Sequence, residues 1–328
     1  MTNSATTSSE SIRQLLENRP LRLGTRSSPL AMAQAHEVAG RLRTAHDLPE
    51  GAIEISAAEA SGDKITDRAL REVGGKALWT RELDFQLEDG TVDFSVHSMK
   101  DVETIRPEQF TISAILPRAD ARDVLIGAAS IADIPQGAKF GTSSPRRAAQ
   151  MRSLRPDIEV VLFRGNVATR LAKLEKGVAD VTLLAKAGLD RLDQGDLGTP
   201  LDKAVWTPAA AQGAIGVETR TDNPALRAFL GAIDDAATHD AVMLERHFLA
   251  ALGGSCHSSV AAHVSSQDGQ KTMRAILYSE DGRDHVDETL VFDGADHQAD
   301  ADAVSQLAGA MLAKAPESIT RLFDPPAK

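Results

Sequence analysis

The stretch "VHSMKDV" closes an apolar alternation, Val92, Phe94 and Val96, with His97 and then sets Lys100 and Asp101 side by side. At the rim of a strand, a carboxylate among cations is suited to move protons and to stabilise a developing positive charge. The plainer alternative is a solvated ion pair that contributes little. Arginines gather at turns. Arg26 precedes the corner Ser28-Pro29, Arg146 and Arg147 follow the corner Ser144-Pro145, and "RGNVATR" carries Arg164 and Arg170. Serine-capped helix starts collect unpaired N–H groups and the positive end of the helix dipole, so such corners favour anions. Arg191 in "AGLDRL" adds a weaker signal, and Lys76 lies in the glycine loop of "REVGGKALW". Cys256 is the sole cysteine, placed in "LGGSCHSS". It reads as a structural thiol, a nucleophile in need of a base, or an attachment point for a prosthetic group. Residue chemistry leaves the last two open.

The elements that must position these groups follow a repeated construction. Leu21 to Leu23 enter a Gly-Thr turn, Ser28 caps, Pro29 starts a helix, and Ala33-Gln34 follow. "KFGTSSPRRAAQ" repeats that order with Gly141, Ser143, Ser144, Pro145 and Ala149-Gln150. Two matched corners predict two related α/β lobes. "AIEISAAEA", "TVDFSVHS" and "RDVLIGAA" read as strands, and "ALWTRELDFQLEDG" as a helix stopped by Gly90. From "DIEVVLF" onward a strand–helix–strand–helix run is expected, capped by Asn166 and ended by Gly177, with both strands nearly continuous apolar runs. "TPAAAQGAIGVETR" reads as a strand returning to the first lobe. The helix "AVMLERHFLAAL", three strands and a final helix predict a small α+β unit with an antiparallel sheet.

Composition narrows the function classes. The chain has 328 residues and a formal net charge of −11, which disfavours bulk nucleic-acid binding. No apolar run approaches the roughly 18 residues that a spanning helix needs. Histidine and cysteine spacing fits no metal site, so none is expected. The polar start, with Glu10 and Glu17 and no apolar core, predicts a flexible leader ending in a short helix and a cytoplasmic protein.

Taken in order, "LGTRSSPLAMAQA", "GGKALW", "VHSMKDV", "GTSSPRR", "RGNVATRL", "AGLDRL", "QGAIGVE" and "GGSC" resemble the porphobilinogen deaminase family from about Leu21 onward. The resemblance implies two periplasmic-binding-protein-like α/β lobes plus a small α+β C-terminal domain with a three-stranded antiparallel sheet. It implies a leader over 1–20, a first lobe from 21–117 and 212–232, a second over 118–211, and a third domain over 233–328. It further implies a covalent dipyrromethane cofactor on Cys256 through a thioether, and porphobilinogen as substrate. Four units would be condensed with loss of ammonia and released by hydrolysis as linear hydroxymethylbilane. Asp101 matches the catalytic aspartate. Lys100, Arg146, Arg147, Ser143, Ser144 and Asp101 match cofactor contacts. Arg26, Ser28, Arg164, Arg170, Arg191 and Gln212 match substrate contacts, and Lys76 and Trp79 a lid. A monomer without nucleic-acid or membrane partners is the family expectation. Three departures stand out: no proline follows Cys256, Trp79 stands where Phe is usual, and Ala211 replaces a common glycine. The competing reading is a non-catalytic clamshell that binds a small anion.

Overall fold

The structure, a computed structural model, describes residues 12, 14–59, 80–254, 258–294 and 296–323. Lys76, Trp79 and Cys256 lie outside the described residues. The described parts of 12–59, 80–119 and 214–239 form one compact unit, and those of 120–213 and 240–323 another.

The first unit is built on β1 (Leu21–Arg26), α1 (Pro29–His46), β2 (Ile53–Ala58), α2 (Arg81–Glu88), β3 (Phe94–Ser98), β4 (Phe110–Ile115), β10 (Ile215–Arg220) and α6 (Pro224–Leu230). Its sheet has the order β2-β1-β3-β10-β4. β1 runs parallel to β2 and β3, whereas β10 is antiparallel to both β3 and β4. As expected, Ser28 caps α1, accepting from the Ala31 N–H at 3.3 Å, with Pro29 in the first turn. The buried face of α1 is Ala31, Gln34, Ala35, Val38, Ala39 and Leu42. These residues join Leu21, Leu23, Phe94, Val96 and Val217 in one core, into which Ile12 also packs. Central β3 does not alternate between core and solvent. Ser95 and His97 are buried along with Phe94 and Val96, because the sheet is covered on both faces.

The second unit repeats this layout with β5 (Asp123–Ile126), β6 (Lys139–Thr142), α3 (Pro145–Leu154), β7 (Glu159–Leu162), α4 (Val167–Glu175), β8 (Val181–Ala185), α5 (Lys186–Asp190) and β9 (Thr199–Pro200). Its sheet order is β7-β6-β8-β5-β9, with β6 parallel to β7 and β8 and β5 antiparallel to β8 and β9. Each lobe therefore holds a parallel trio joined to a reversed strand, as the matched corners predict. Ser144 caps α3 through the Arg147 N–H, and Asn166 caps α4 through the Thr169 N–H. One expectation is corrected: β7 is an edge strand with no fully buried position and with Leu162 exposed, not a buried apolar run. Its apolar residues have only one neighbouring strand, so solvent reaches them.

The same unit carries α7 (Ala236–Ala251), β11 (Val260–Gln267), β12 (Gln270–Tyr278), β13 (His285–Val291) and α8 (His297–Lys314). β11-β12-β13 form the expected three-stranded antiparallel sheet. One face buries Val260, Ala262, Val264, Met273, Ala275 and Leu277 against Leu244, Phe248, Val304 and Met311 of the helices. On the other, Ala261, Ile276 and Tyr278 pack on Ala149 of α3.

Candidate active site

Asp101 owes its place to a glycine. The 3₁₀ turn Met99–Asp101 follows directly on β3, and Met99 is fully buried. A Cβ on Gly216 of β10 would lie 2.0 Å from the Met99 sulfur, so only glycine lets that side chain seat under the turn. The Met99 N–H donates to the Ala214 carbonyl at 3.1 Å, which fixes the turn from the same strand segment. Above it lies a pocket lined by Arg26, Ser28, Leu30, Ala31, Gln34, Thr80, Val96, His97, Ser98, Asp101 and Val102. Three residues singled out from sequence, Arg26, Ser28 and Asp101, thus meet in one cavity. Lys100 is half-buried on the same turn but does not line it.

Gln34, His97 and Ser98 complete that wall without having been singled out from sequence. Gln34 Nε2 donates to Ser98 Oγ at 2.8 Å, which orders both side chains. His97 Nε2 lies 3.2 Å from Oε2 of Glu218, a fully buried carboxylate on β10. Arg106 grips the same carboxylate through Nε at 2.8 Å and Nη2 at 3.0 Å, and reaches Asp84 and Thr80 as well. Burial alone would raise the Glu218 pKa, but the bonds and charges of His97 and Arg106 outweigh it and hold it at about 2. The folded value is below the ordinary 4.5, so this stabilisation is full above 4.5 and is lost as pH falls toward 2. The shift corresponds to roughly 3 kcal/mol. Wild type should therefore exceed Glu218→Gln in unfolding free energy by a margin that narrows by about 2 kcal/mol between about pH 5 and pH 3. Urea unfolding across that range checks it, and a pH-independent margin would refute it.

In the second unit, Arg146 and Arg147 turn inward from the start of α3. Asp123, fully buried at the head of β5, accepts Arg146 Nη2 at 2.7 Å and Arg147 Nη2 at 2.6 Å. Trp206 Nε1 and Gln212 Nε2 complete the cluster at 2.7 and 2.8 Å. The remaining Nη1 groups donate to the Thr207 and Leu183 carbonyls. Burial would raise the Asp123 pKa, yet the two guanidiniums drive it well below the carboxylate range. Two cations on one anion leave a buried formal charge of +1, and Nε of each arginine has no hydrogen-bond partner among the described residues. Such a cluster fits a carboxylate-bearing group. Reading the corners for cations alone missed Asp123, although an acid heading an apolar strand is a visible signal.

Arg164 is buried in the loop after β7, behind Phe163. A Cβ on Gly141 would lie 2.6 Å from the Phe163 ring, so the glycine of the corner admits it. Arg170 Nε donates to the Gly165 carbonyl at 2.9 Å and Lys173 Nζ to the Arg164 carbonyl at 2.9 Å, which shapes the loop. Arg191 Nη2 reaches the Gly213 carbonyl at 3.3 Å, beside Gln212. Ser143 is half-buried and Ser144 serves as the cap.

Two α/β lobes of one topology, one with an acid in a pocket beside Arg26 and the other with a buried arginine pair, define a two-lobed α/β protein with candidate anion-binding groups. Residues 21–228 match the family model described as porphobilinogen deaminase, dipyromethane cofactor binding domain, and residues 239–314 match its C-terminal domain. The chain belongs to the porphobilinogen deaminase family. A porphobilinogen deaminase of Sphingopyxis alaskensis is 55% identical over 312 residues, covering 93% of this chain and 97% of that protein. One of Nitrobacter winogradskyi is 46% identical over 289 residues, covering 87% and 92%. Among solved structures, the periplasmic VFT2 domain of Bordetella pertussis BvgS matches at a TM-score of 0.41 and 13% identity, over 68% of this chain and 91% of that one.

Proposed function

We propose that this chain is a hydroxymethylbilane synthase. It condenses four porphobilinogen molecules head to tail, releases ammonia at each step, and frees linear hydroxymethylbilane by hydrolysis. The observation that carries this reading is the pocket in which Asp101 meets Arg26 and Ser28 in a chain of this family. Asp101 moves the proton at the substrate aminomethyl nitrogen and stabilises positive charge on the pyrrole. Arg26, Ser28, Arg164, Arg170, Arg191 and Gln212 bind the acetate and propionate groups, for which guanidinium forks are well matched. Lys76 and Trp79 belong to the lid. Lys100, Arg146, Arg147, Ser143, Ser144 and Asp101 hold the dipyrromethane cofactor, attached at Cys256. When bound, that group supplies the pyrrole carbon at which the product chain starts.

The domain division follows the same reading: 21–117 with 212–232, then 118–211, then 233–328. The enzyme works as a cytoplasmic monomer without nucleic-acid or membrane partners. No helix among the described residues is long and apolar enough to cross a membrane, and the net charge of −11 disfavours bulk nucleic-acid binding.

Intact-protein mass spectrometry of wild type beside Cys256→Ser tests the reading. A mass excess of two linked pyrrole units in wild type, absent from the variant, is expected. A wild-type mass equal to the bare chain even after incubation with porphobilinogen would overturn it and favour the anion-binding clamshell.

A further inference from the structure

Glu245 on α7 is fully buried, and its two oxygens tie together segments distant in sequence. Oε2 accepts the Ala211 N–H at 2.6 Å, and Oε1 accepts the Val264 N–H of β11 at 2.7 Å. α7 and β11 are the elements that flank the cysteine turn in sequence. His263 adds a third contact. Its Nδ1 lies 3.3 Å from Glu245 Oε1, and its Nε2 lies 3.2 Å from Lys203 Nζ.

Ala211 holds a φ of 60°, the left-handed region that a residue with a Cβ adopts only at a cost. The bond from Glu245 offsets the cost and keeps the backbone in that conformation. The next residue is Gln212, whose amide donates to the Ala121 carbonyl at 2.7 Å and to Asp123 at 2.8 Å. Trp206 donates to the same carboxylate. A single chain of contacts thus runs from α7, through a strained alanine, to the carboxylate that holds the arginine pair.

We propose that Glu245 is a positioning residue for Gln212, linking α7 and β11 to the Asp123 cluster by holding Ala211 in its left-handed conformation. The proposal rests on the reading that Cys256 carries the cofactor and Gln212 contacts substrate. The link itself is a property of the protein alone.

The test is a double-mutant cycle in a Trp79→Phe background, where Trp206 is the one remaining tryptophan of the two. Glutamine has one acceptor oxygen for two N–H donors, so Glu245→Gln must release one of them. Glu245→Gln is expected to red-shift Trp206 emission without substrate, and to raise KM for porphobilinogen on the order of tenfold while kcat stays within about threefold. Ala211→Gly removes the conformational cost, so adding it to Glu245→Gln should restore both readouts to within about twofold of Ala211→Gly alone. If the two substitutions act additively, Glu245 is only a packing residue and the proposal fails. If Glu245→Gln gives no folded chain, Ala211→Thr disfavours the left-handed conformation with Glu245 in place. It should then produce the red shift by itself, and an unchanged Trp206 spectrum overturns the proposal. Emission is read without substrate, so failure of the link is distinguished from failure of the functional reading, which the wild-type mass decides.

Discussion

Asp101→Asn is expected to lower turnover by roughly two orders of magnitude or more while the fold stays intact. The carboxylate stands half-buried at the end of a 3₁₀ turn, outside the hydrophobic clusters. What fixes the turn is Met99 under Gly216 and the Met99 N–H on Ala214, and an amide at position 101 disturbs neither. The substitution removes the negative charge from a pocket whose other polar lining includes Arg26, Ser28, Gln34 and His97. In the proposed role, proton transfer and stabilisation of a cationic pyrrole both need that charge, so the loss is expected to fall on kcat. Steady-state kinetics with porphobilinogen, alongside thermal unfolding, provides the check. Near-normal turnover would remove Asp101 from the mechanism.

Asp123→Asn acts on the other unit and mainly on stability. The carboxylate accepts hydrogen bonds from Arg146, Arg147, Trp206 and Gln212, all within a fully buried site. Asparagine offers a single acceptor oxygen, and it leaves two guanidiniums without an opposing charge. Breaking one partner out of a buried ion pair costs about 3–5 kcal/mol, because the remaining charge stays desolvated. Denaturant unfolding should show a loss of that size, and intact mass spectrometry should show a reduced fraction of loaded chain. If the arginine pair holds the cofactor as proposed, losing its orientation accounts for the reduced loading. A loss below about 1 kcal/mol with full loading would mean that water or a rearranged side chain replaces the carboxylate.

Local chemistry was legible because it acts over short spans. Ser28, Ser144 and Asn166 each cap a helix through an N–H three residues onward, a range that any reading of the sequence covers. The repeated Gly-Thr-Ser-Pro corner revealed two lobes of one kind, since a strand entering a capped helix has few ways to fold. Where the reading failed, it assumed a neighbour it could not see. β7 is apolar but sits at a sheet edge, and β3 alternates in sequence but is central and covered on both faces.

By itself, the sequence determined the lobes, the corners, the arginine-bearing turns and the strand end that presents Asp101. The tertiary structure alone decided which charges meet. Asp123 and Trp206 are 83 residues apart, and Arg106 and Glu218 are 112 apart. Neither pairing follows from periodicity or from any motif. The reason is physical: a buried charge must find its counter-ion in three dimensions, and sheet order brings such partners together without regard to their separation along the chain.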